Sequence, residues 1–187
     1  MISIIGGKFK RKKIKVPLND VRPTSSIKRE AIFSILESYA LLNSFELYSE
    51  KSFIDLFAGS GSLGLEAISR GGSYSYFYEI NKHVIEILKK NCQSICKENQ
   101  YKIFLQDSTL INDFNLLFPL SVIFIDPPYK YTFFDKILEI LKNNNILNKN
   151  TIIVIETDKK YKLKLSSEFE VIKDKTYGKT QLLFLKK

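Results

Sequence analysis

Short apolar runs alternate with helical segments along most of the chain. The runs are rich in β-branched and aromatic residues, and they read SFIDLF, YSYFYE, KIFLQD, VIFIDP and TIIVIE. Segments with apolar residues at helical spacing separate them, at 63–70, 81–98 and 133–146. Strands that alternate with helices form parallel sheets covered on both faces. The pattern therefore predicts an α/β fold with a mostly parallel sheet and helices on both faces.

Both ends of the chain depart from this alternation. Two short β-prone runs flank Gly6-Gly7 in SIIGGKFKRKKIKV, which predicts an N-terminal hairpin. In RPTSSIKREAIFSILESYA, the capping candidates Thr24, Ser25 and Ser26 precede apolar residues at helical spacing, which predicts an amphipathic helix. FEVIKDKTY and TQLLFLKK follow one another with no helix between them, which predicts a closing antiparallel hairpin at the sheet edge. We expect a single domain over 1–187, with 1–22 as a hairpin extension.

Composition places the chain among globular proteins. It has 187 residues, of which 44% are hydrophobic and 26% charged. No apolar run approaches the roughly 20 residues of a membrane helix, and the first residues lack the apolar core of a secretory signal. We therefore expect a cytoplasmic protein without a membrane partner.

The cysteines and the histidine give no support for metal binding or for a histidine-based triad. Cys92 and Cys96 both fall on the apolar stripe of a predicted helix, so free thiols are expected instead of a metal site or a disulfide. His83 is the only histidine and is interpreted as a residue at a helix start. No metal site is predicted.

The charge balance points to a polyanionic partner. The formal net charge is +9, from 29 Lys and Arg against 20 Asp and Glu. Frequent lysine could reflect compositional bias, but the distribution favours a nucleic-acid surface, because residues 1–19 contain a basic cluster and no acid. The cluster comprises Lys8, Lys10, Arg11, Lys12, Lys13 and Lys15.

The first predicted junction between a strand and a helix carries a ligand-binding pattern. In FIDLFAGSGSLGLEA, three glycines with the spacing G-x-G-x-x-G, Gly59, Gly61 and Gly64, follow a strand and open a helix. Glu79 ends the next predicted strand about 20 residues further on, as in a dinucleotide site.

An acidic residue before the glycines distinguishes between possible ligands. A pyrophosphate bound at the helix start would lie beside the carboxylate of Asp55, and like charges repel. S-adenosylmethionine has no phosphate but has an ammonium, a sulfonium and a ribose diol. Asp55 could lie near the ammonium, Glu79 could accept the ribose hydroxyls, and Asp107 could accept from the adenine amine. This part of the sequence favours a methyl donor over a hydride carrier.

The stretch VIFIDPPYKY contains the second chemical motif. Pro127 holds Asp126 outside helical geometry, Pro128 does the same to Pro127, and neither proline offers a backbone N–H. The strand thus ends in a stiff corner of acceptors followed by the ring of Tyr129. An exocyclic base amine complements such a corner, because it presents N–H donors on a flat ring that the tyrosine can stack against.

The motifs DLFAGSGSLGLEAISRG and FIDPPY resemble those of class I, Rossmann-like amino-methyltransferases. Together with IIGGKFKRKKIKVP and VRPTSSIKREAIFSIL, they resemble the RsmD-type family of 16S rRNA guanine-N2 methyltransferases. The resemblance runs from residue 2 to the closing YGKT, over almost the full chain. It implies a seven-stranded sheet with a C-terminal antiparallel hairpin, S-adenosyl-L-methionine as donor and a guanine of small-subunit rRNA as acceptor. It also implies the assembled 30S subunit as substrate. A monomer is expected.

The residue patterns and the resemblance together assign residues to each part of the site. The predicted catalytic corner is Asp126, Pro127, Pro128 and Tyr129. The predicted donor-binding residues are Asp55, Phe57, Ala58, Gly59, Ser60, Gly61, Glu79, Ile80, Asp107 and Ser108. The predicted RNA-binding residues are Lys8, Lys10, Arg11, Lys12, Lys13, Arg22, Pro23 and Thr24.

Two alternatives remain open at the level of sequence. The acid-Pro-Pro-aromatic corner is shared with DNA methyltransferases that modify adenine N6 or cytosine N4, although no segment here is large enough to be a sequence-reading insertion. A catalytically silent RNA-binding assembly factor could retain the same fold, although Asp126 and the glycine loop look intact.

Overall fold

The computed structural model describes residues 1–17, 24–128 and 132–187. These residues form the strands β1 (Ile2–Ser3), β2 (Lys13–Ile14), β3 (Ser52–Asp55), β4 (Tyr74–Glu79), β5 (Tyr101–Leu105), β6 (Leu120–Ile125), β7 (Ile152–Asp158), β8 (Glu170–Tyr177) and β9 (Thr180–Lys186). They also form the helices α1 (Ser26–Leu42), α2 (Ser62–Ser69), α3 (Lys82–Ile95) and α4 (Phe134–Asn143).

Seven strands build one mixed sheet in the order β5-β4-β3-β6-β7-β9-β8. The five strands from β5 to β7 in this order are mutually parallel, as the alternation with helices predicted. The closing hairpin is also confirmed, with one refinement: β9 pairs antiparallel with both β7 and β8, so β8 forms the sheet edge.

Helices cover both faces of the sheet, as predicted. Alternate side chains of each strand point to opposite faces, so Phe53 and Phe124 pack under α1, whereas Ile54 and Ile123 pack under α4. Helices α2 and α3 lie on the α1 side, where they share a third apolar cluster with β4. The fold is therefore the mostly parallel sheet with helices on both faces that the sequence predicted.

Two helices are shorter than their patterns predicted. Helix α3 ends at Ile95, because Cys96 adopts an extended conformation with φ −94° and ψ 154°. Helix α4 covers Phe134–Asn143, and Asn145 beyond it has a left-handed φ of 52°. Apolar periodicity continues past both ends, and only the backbone conformation shows where the helices stop.

The N-terminal hairpin is confirmed but its strands are short. β1 and β2 pair antiparallel over two residues each, with Ile2 opposite Ile14 and Ser3 opposite Lys13. Turns occupy most of the segment between them. Ile4 and Ile14 are buried and join the apolar cluster between α2 and α3.

Buried polar side chains hold this hairpin against the helices. Glu66 on α2 is fully buried and accepts hydrogen bonds from the N–H groups of Ile5 at 2.9 Å and Gly6 at 2.6 Å. Asn91 on α3 accepts from the N–H of Lys15 at 2.9 Å and donates to its carbonyl oxygen at 2.8 Å. A buried carboxylate is tolerated when hydrogen bonds satisfy it, so the hairpin completes the packing of α2 and α3.

Candidate active site

Acidic residues collect where the parallel strands end. Asp55, Glu79 and Glu156 lie at or near the carboxyl ends of β3, β4 and β7, and Asp126 directly follows β6. Each is two residues after a side chain that packs under α1, α2 or α3, so the alternation of the strands directs all four toward the same face. Ligands of open α/β sheets bind outside this edge.

The glycine loop passes tightly between β3 and α2. Gly61 precedes the helix with a left-handed φ of 82°, a conformation that favours glycine. A Cβ on Gly64 would lie 2.3 Å from the ring of Phe77, so the third glycine allows α2 to lie directly on β4. The G-x-G-x-x-G spacing therefore serves a tight turn at Gly61 and a close helix–strand contact at Gly64.

The carboxylate of Glu79 is fastened to this loop. Its Oε2 atom accepts a hydrogen bond from the N–H of Gly59 at 2.9 Å, and its Oε1 atom accepts from the N–H of Asn81 at 2.9 Å. The side chain is only partly buried. Because a carboxylate oxygen has two lone pairs, both atoms keep the capacity to accept from a ligand hydroxyl.

Asp55 is buried beneath the loop with part of its carboxylate unsatisfied. It is 2% exposed, and its Oδ1 atom has no hydrogen-bond partner among the described residues. Burial raises the pKa of Asp55 to about 7, and the charge of Asp126 adds to the increase, while the N–H groups of Gly64 and Phe57 oppose it. A cationic ligand group nearby would relieve this cost, because an opposite charge favours the ionised carboxylate.

The neighbouring wall of the crevice is formed after β5. The hydroxyl of Ser108 donates to the carbonyl oxygen of Leu56. Oδ1 of Asp107 accepts from the N–H and the hydroxyl of Thr109, both at 2.8 Å. Ile80, just beyond β4, is 65% exposed and offers an apolar contact at the same edge. The predicted donor-binding residues are thus contributed by the ends of three adjacent strands.

The predicted catalytic corner follows β6, on the side of β3 away from β4 and β5. Asp126 is partly buried, and its Oδ2 atom accepts a hydrogen bond from the hydroxyl of Thr24. Burial raises the pKa of Asp126 and the charge of Glu156 raises it further, whereas Thr24 and Lys28 lower it. Pro127 and Pro128 follow in non-helical conformation. Tyr129 lies outside the described residues, so its stacking role stays a prediction.

The sequence interpretation missed two residues at this corner. Glu156 forms an ion pair with Lys28 of α1, and both side chains are largely buried. A signal for Glu156 was present, because TIIVIE ends in an acid at the same position as the other parallel strands. Lys28 had no such signal, since its partner is 128 residues away in the chain.

The basic cluster lies on the N-terminal hairpin. Lys8, Lys10, Arg11, Lys12 and Lys13 are all exposed on the hairpin. The ammonium groups of Lys8 and Lys12 lie 5.6 and 5.5 Å from the centroid of the Phe9 ring, and Lys12 also donates to the carbonyl oxygen of Ser94.

Thr24, which the resemblance implied to lie near the RNA and the active site, is 5% exposed and lies at the catalytic corner. Its contact with RNA stays a prediction. Arg22 and Pro23 lie outside the described residues.

The described part of the chain shows neither a candidate metal site nor a candidate membrane-spanning helix. Among residues 1–17, 24–128 and 132–187, no three His, Cys, Asp or Glu side chains are arranged to hold a metal ion. No helix within those ranges is long and apolar enough to cross a membrane. Cys92 is a buried free thiol, and Cys96 is a partly buried one.

Known structures share this architecture. The Escherichia coli protein yhhF superposes with a TM-score of 0.81 at 23% identity, over 98% of this chain and 96% of that one. An RNA methyltransferase from Salinibacter ruber, described as a complex with S-adenosyl-L-homocysteine, superposes with a TM-score of 0.63 at 13% identity, over 87% of this chain and 92% of that one. At these identities the likeness shows the fold alone, a mostly parallel seven-stranded sheet covered by helices.

Sequence comparison identifies the family. The Haemophilus influenzae protein named "Ribosomal RNA small subunit methyltransferase D" is 33% identical over 184 residues, which cover 95% of this chain and 89% of the relative. The family described as "Conserved hypothetical protein 95" matches residues 2–186. The RsmD-type resemblance carried by the motifs is confirmed, and the chain belongs to this family of methyltransferases.

Proposed function

We propose that this protein transfers a methyl group from S-adenosyl-L-methionine to the exocyclic N2 amine of a guanine in 16S rRNA, within the assembled 30S subunit. The observation that carries the proposal is the position of Asp126 and its two prolines. They directly follow β6, the strand that pairs with β3, and so lie at the same edge of the sheet as Asp55 and the glycine loop. The name of the Haemophilus relative supports ribosomal RNA as the acceptor.

The crevice has the chemistry that the donor requires. Asp55 supplies a buried, incompletely satisfied carboxylate for a cation, and Glu79 supplies partly exposed acceptors for ribose hydroxyls. Ile80 and the turn at Asp107 and Ser108 offer apolar contact and a further acceptor beside them. When bound, S-adenosyl-L-methionine supplies a methyl group on a positively charged sulfur. None of these five side chains is a cation that would bind phosphate, in keeping with a donor that lacks phosphate.

The acceptor corner is suited to an amine. Asp126 and the carbonyl groups beside Pro127 and Pro128 can only accept hydrogen bonds unless the carboxyl is protonated. An exocyclic amine is a poor nucleophile, because its lone pair is delocalised into the ring. A fixed ionised acceptor orients its N–H groups and stabilises the positive charge that develops on nitrogen during attack. Thr24 keeps the carboxylate in place by donating to Oδ2.

The basic hairpin supports a large RNA substrate. Its lysines project from a segment that buried side chains of α2 and α3 hold in place, so the charge is presented on a fixed surface. Phosphate contacts of this kind position a nucleic acid without reading its sequence, while a separate site reads the base. Recognition of the subunit and chemistry on the base would then be carried by different parts of the protein.

Radiolabelled methyl transfer to undermethylated 30S subunits, naked 16S rRNA and DNA, assayed in parallel, tests the proposal. We expect label in the subunits, and mass spectrometry of the nucleosides should identify N2-methylguanosine. The matched control is Asp126→Ala, which should bind the donor normally but react about 10²–10³ times more slowly. Label in DNA as N6-methyladenine or N4-methylcytosine would replace the proposal with the DNA alternative. Donor binding without transfer to any substrate would favour a silent assembly factor.

A further inference from the structure

The segment that leads into α1, together with the first turn of the helix, contacts two neighbouring carboxylates. Ile125 lies opposite Ile155 in the parallel pairing of β6 and β7, so Asp126 and Glu156 follow side by side. Thr24, two residues before α1, donates to Asp126, and Lys28 within α1 forms an ion pair with Oε1 of Glu156. One short segment thus fastens both the catalytic corner and the acid beside it.

The charges around Asp126 are unbalanced. Asp55 of β3 and Glu156 of β7 act on it with negative charge, and Lys28 of α1 acts with positive charge. Oε2 of Glu156 is buried without a hydrogen-bond partner among the described residues, and Glu156 as a whole is 6% exposed. Lys28 therefore acts on two carboxylates, those of Glu156 and Asp126, and a change in either member of the ion pair changes the field at Asp126.

We propose that the ion pair of Lys28 and Glu156 is a positioning pair that sets the charge state of Asp126 for methyl transfer. The inference rests on the proposed function, because it assigns Asp126 to the acceptor amine. Lys28 favours the ionised carboxylate, which can accept from the amine, and Glu156 favours the protonated one. Neither residue needs to touch the substrate.

The balance matters because the amine has a proton to lose. After the nitrogen gains a methyl group, one N–H proton must leave, and the ionised carboxylate of Asp126 is the acceptor that the corner offers. The carboxyl group then becomes neutral and releases the proton to water before the next turnover. An acceptor that ionises near neutral pH can perform both steps, which are uptake and release of the same proton.

Lys28 and Glu156 should have opposite effects on the pKa of Asp126. A purely structural role of the pair would not predict opposite shifts of the pH–rate profile. Single-turnover methylation of 30S subunits at saturating donor is measured across the acidic limb of the pH–rate profile. Glu156→Gln should move the limb to lower pH by roughly one unit, and Lys28→Gln should move it to higher pH by a similar amount. Lys28→Arg, which keeps the charge, should restore the wild-type limb. Glu168→Gln, which removes an exposed ion pair with Lys142, should leave the limb unmoved.

A second readout needs no substrate. The carboxyl carbon of Asp126 can be titrated by ¹³C NMR in each folded variant, after assignment from the signal lost in Asp126→Asn. Opposite shifts in the two variants support the inference even if the wild type methylates nothing, in which case the proposed function alone fails. Shifts in the same direction, or an unmoved titration in both, overturn it. Glu156→Gln retains an acceptor for Lys28, so if Lys28→Gln does not fold, the presence or absence of the downward shift in Glu156→Gln decides.

Discussion

The hydroxyl of Thr24 donates a hydrogen bond to the carboxylate of Asp126 across 102 residues of sequence. This bond joins the segment before α1 to the corner after β6, and both side chains lie at the carboxyl edge of the sheet. Ser25, the next residue, caps α1 by accepting from the N–H of Lys28. The helix start is therefore held in a position from which Thr24 reaches the acceptor site.

Loss of the Thr24 hydroxyl should slow methyl transfer without weakening donor binding. A hydrogen bond to a charged group is worth about 1.5–3 kcal/mol, and about 1.4 kcal/mol corresponds to a factor of ten in rate. We expect Thr24→Val to reduce the single-turnover rate about tenfold or more. Thr24→Ser keeps a hydroxyl that can donate the hydrogen bond, so its rate should remain within about twofold of the wild type. Equal rates for the valine and serine variants would show that the hydrogen bond does not matter for catalysis.

Removal of the Glu79 carboxylate should weaken the binding of the methyl donor. We expect Glu79→Ala to raise the donor dissociation constant by the equivalent of about 1.5–3 kcal/mol, the range for hydrogen bonds to a charged group. Isothermal titration with S-adenosylmethionine measures this directly. Glu86→Ala is the matched control, because Glu86 lies on α3 with its side chain 64% exposed and pairs only with Lys89 among the described residues. An unchanged constant in Glu79→Ala would remove Glu79 from the donor site.

The raised pKa of Asp55 predicts a pH dependence of stability. Its pKa is about 7 in the folded protein, against an ordinary value of 3.8, so the carboxyl binds more protons when folded and its contribution to stability is present at low pH. That contribution is lost as the pH rises through about 7. In the wild type without ligand, the free energy of unfolding should therefore be lowered at pH 8 relative to pH 5 by the ionisation of Asp55. Asp55→Asn cannot ionise, so its free energy of unfolding should fall less, or not at all, between the same two pH values.

Urea denaturation of both proteins at the two pH values measures this, with exposed Asp113 replaced by Asn as the control.

The affinity for the methyl donor should show the opposite trend in the wild type. A cation favours ionised Asp55, so binding should strengthen as the pH rises through about 7, and Asp55→Asn should lose that dependence. Parallel stability profiles for wild type and Asp55→Asn would mean that the buried carboxyl ionises normally.

Local patterns were sufficient to predict the sheet and the two motifs. Strand-end acids such as Asp55 and Asp126 follow short apolar runs that form strands in many contexts, and Gly61 stands where the turn requires a left-handed conformation. These features depend on neighbours in sequence, so one sequence can reveal them. The parity of each strand then directs the acids toward one face of the sheet.

The remaining features depend on distant partners. From the sequence, Glu66 looks like an ordinary acidic residue of α2. In the structure it is fully buried, and the hairpin donates two N–H groups to it from 60 and 61 residues away. Asn91 and Lys28 likewise acquire their roles from segments 76 and 128 residues away. No periodicity within one element carries that information. The same contacts show that the hairpin cannot be deleted cleanly, since deletion would leave Glu66 buried without these partners.

Point substitutions are therefore the appropriate test of the basic hairpin. Lys10 and Lys13 are exposed, and a lysine that neutralises a phosphate releases counterions from the RNA, so binding should weaken steeply with salt. A substitution that removes one phosphate contact should make the negative slope of log affinity against log salt shallower by about one unit. We expect this for Lys10→Ala and Lys13→Ala. Lys173→Ala and Lys175→Ala on the edge strand β8 are matched exposed controls and should leave the slope unchanged. A salt titration of 30S binding compares the four variants with the wild type at constant donor. If the hairpin variants and the β8 variants have the same slope as the wild type, the basic cluster is a solvated face, and the net charge of +9 reflects composition.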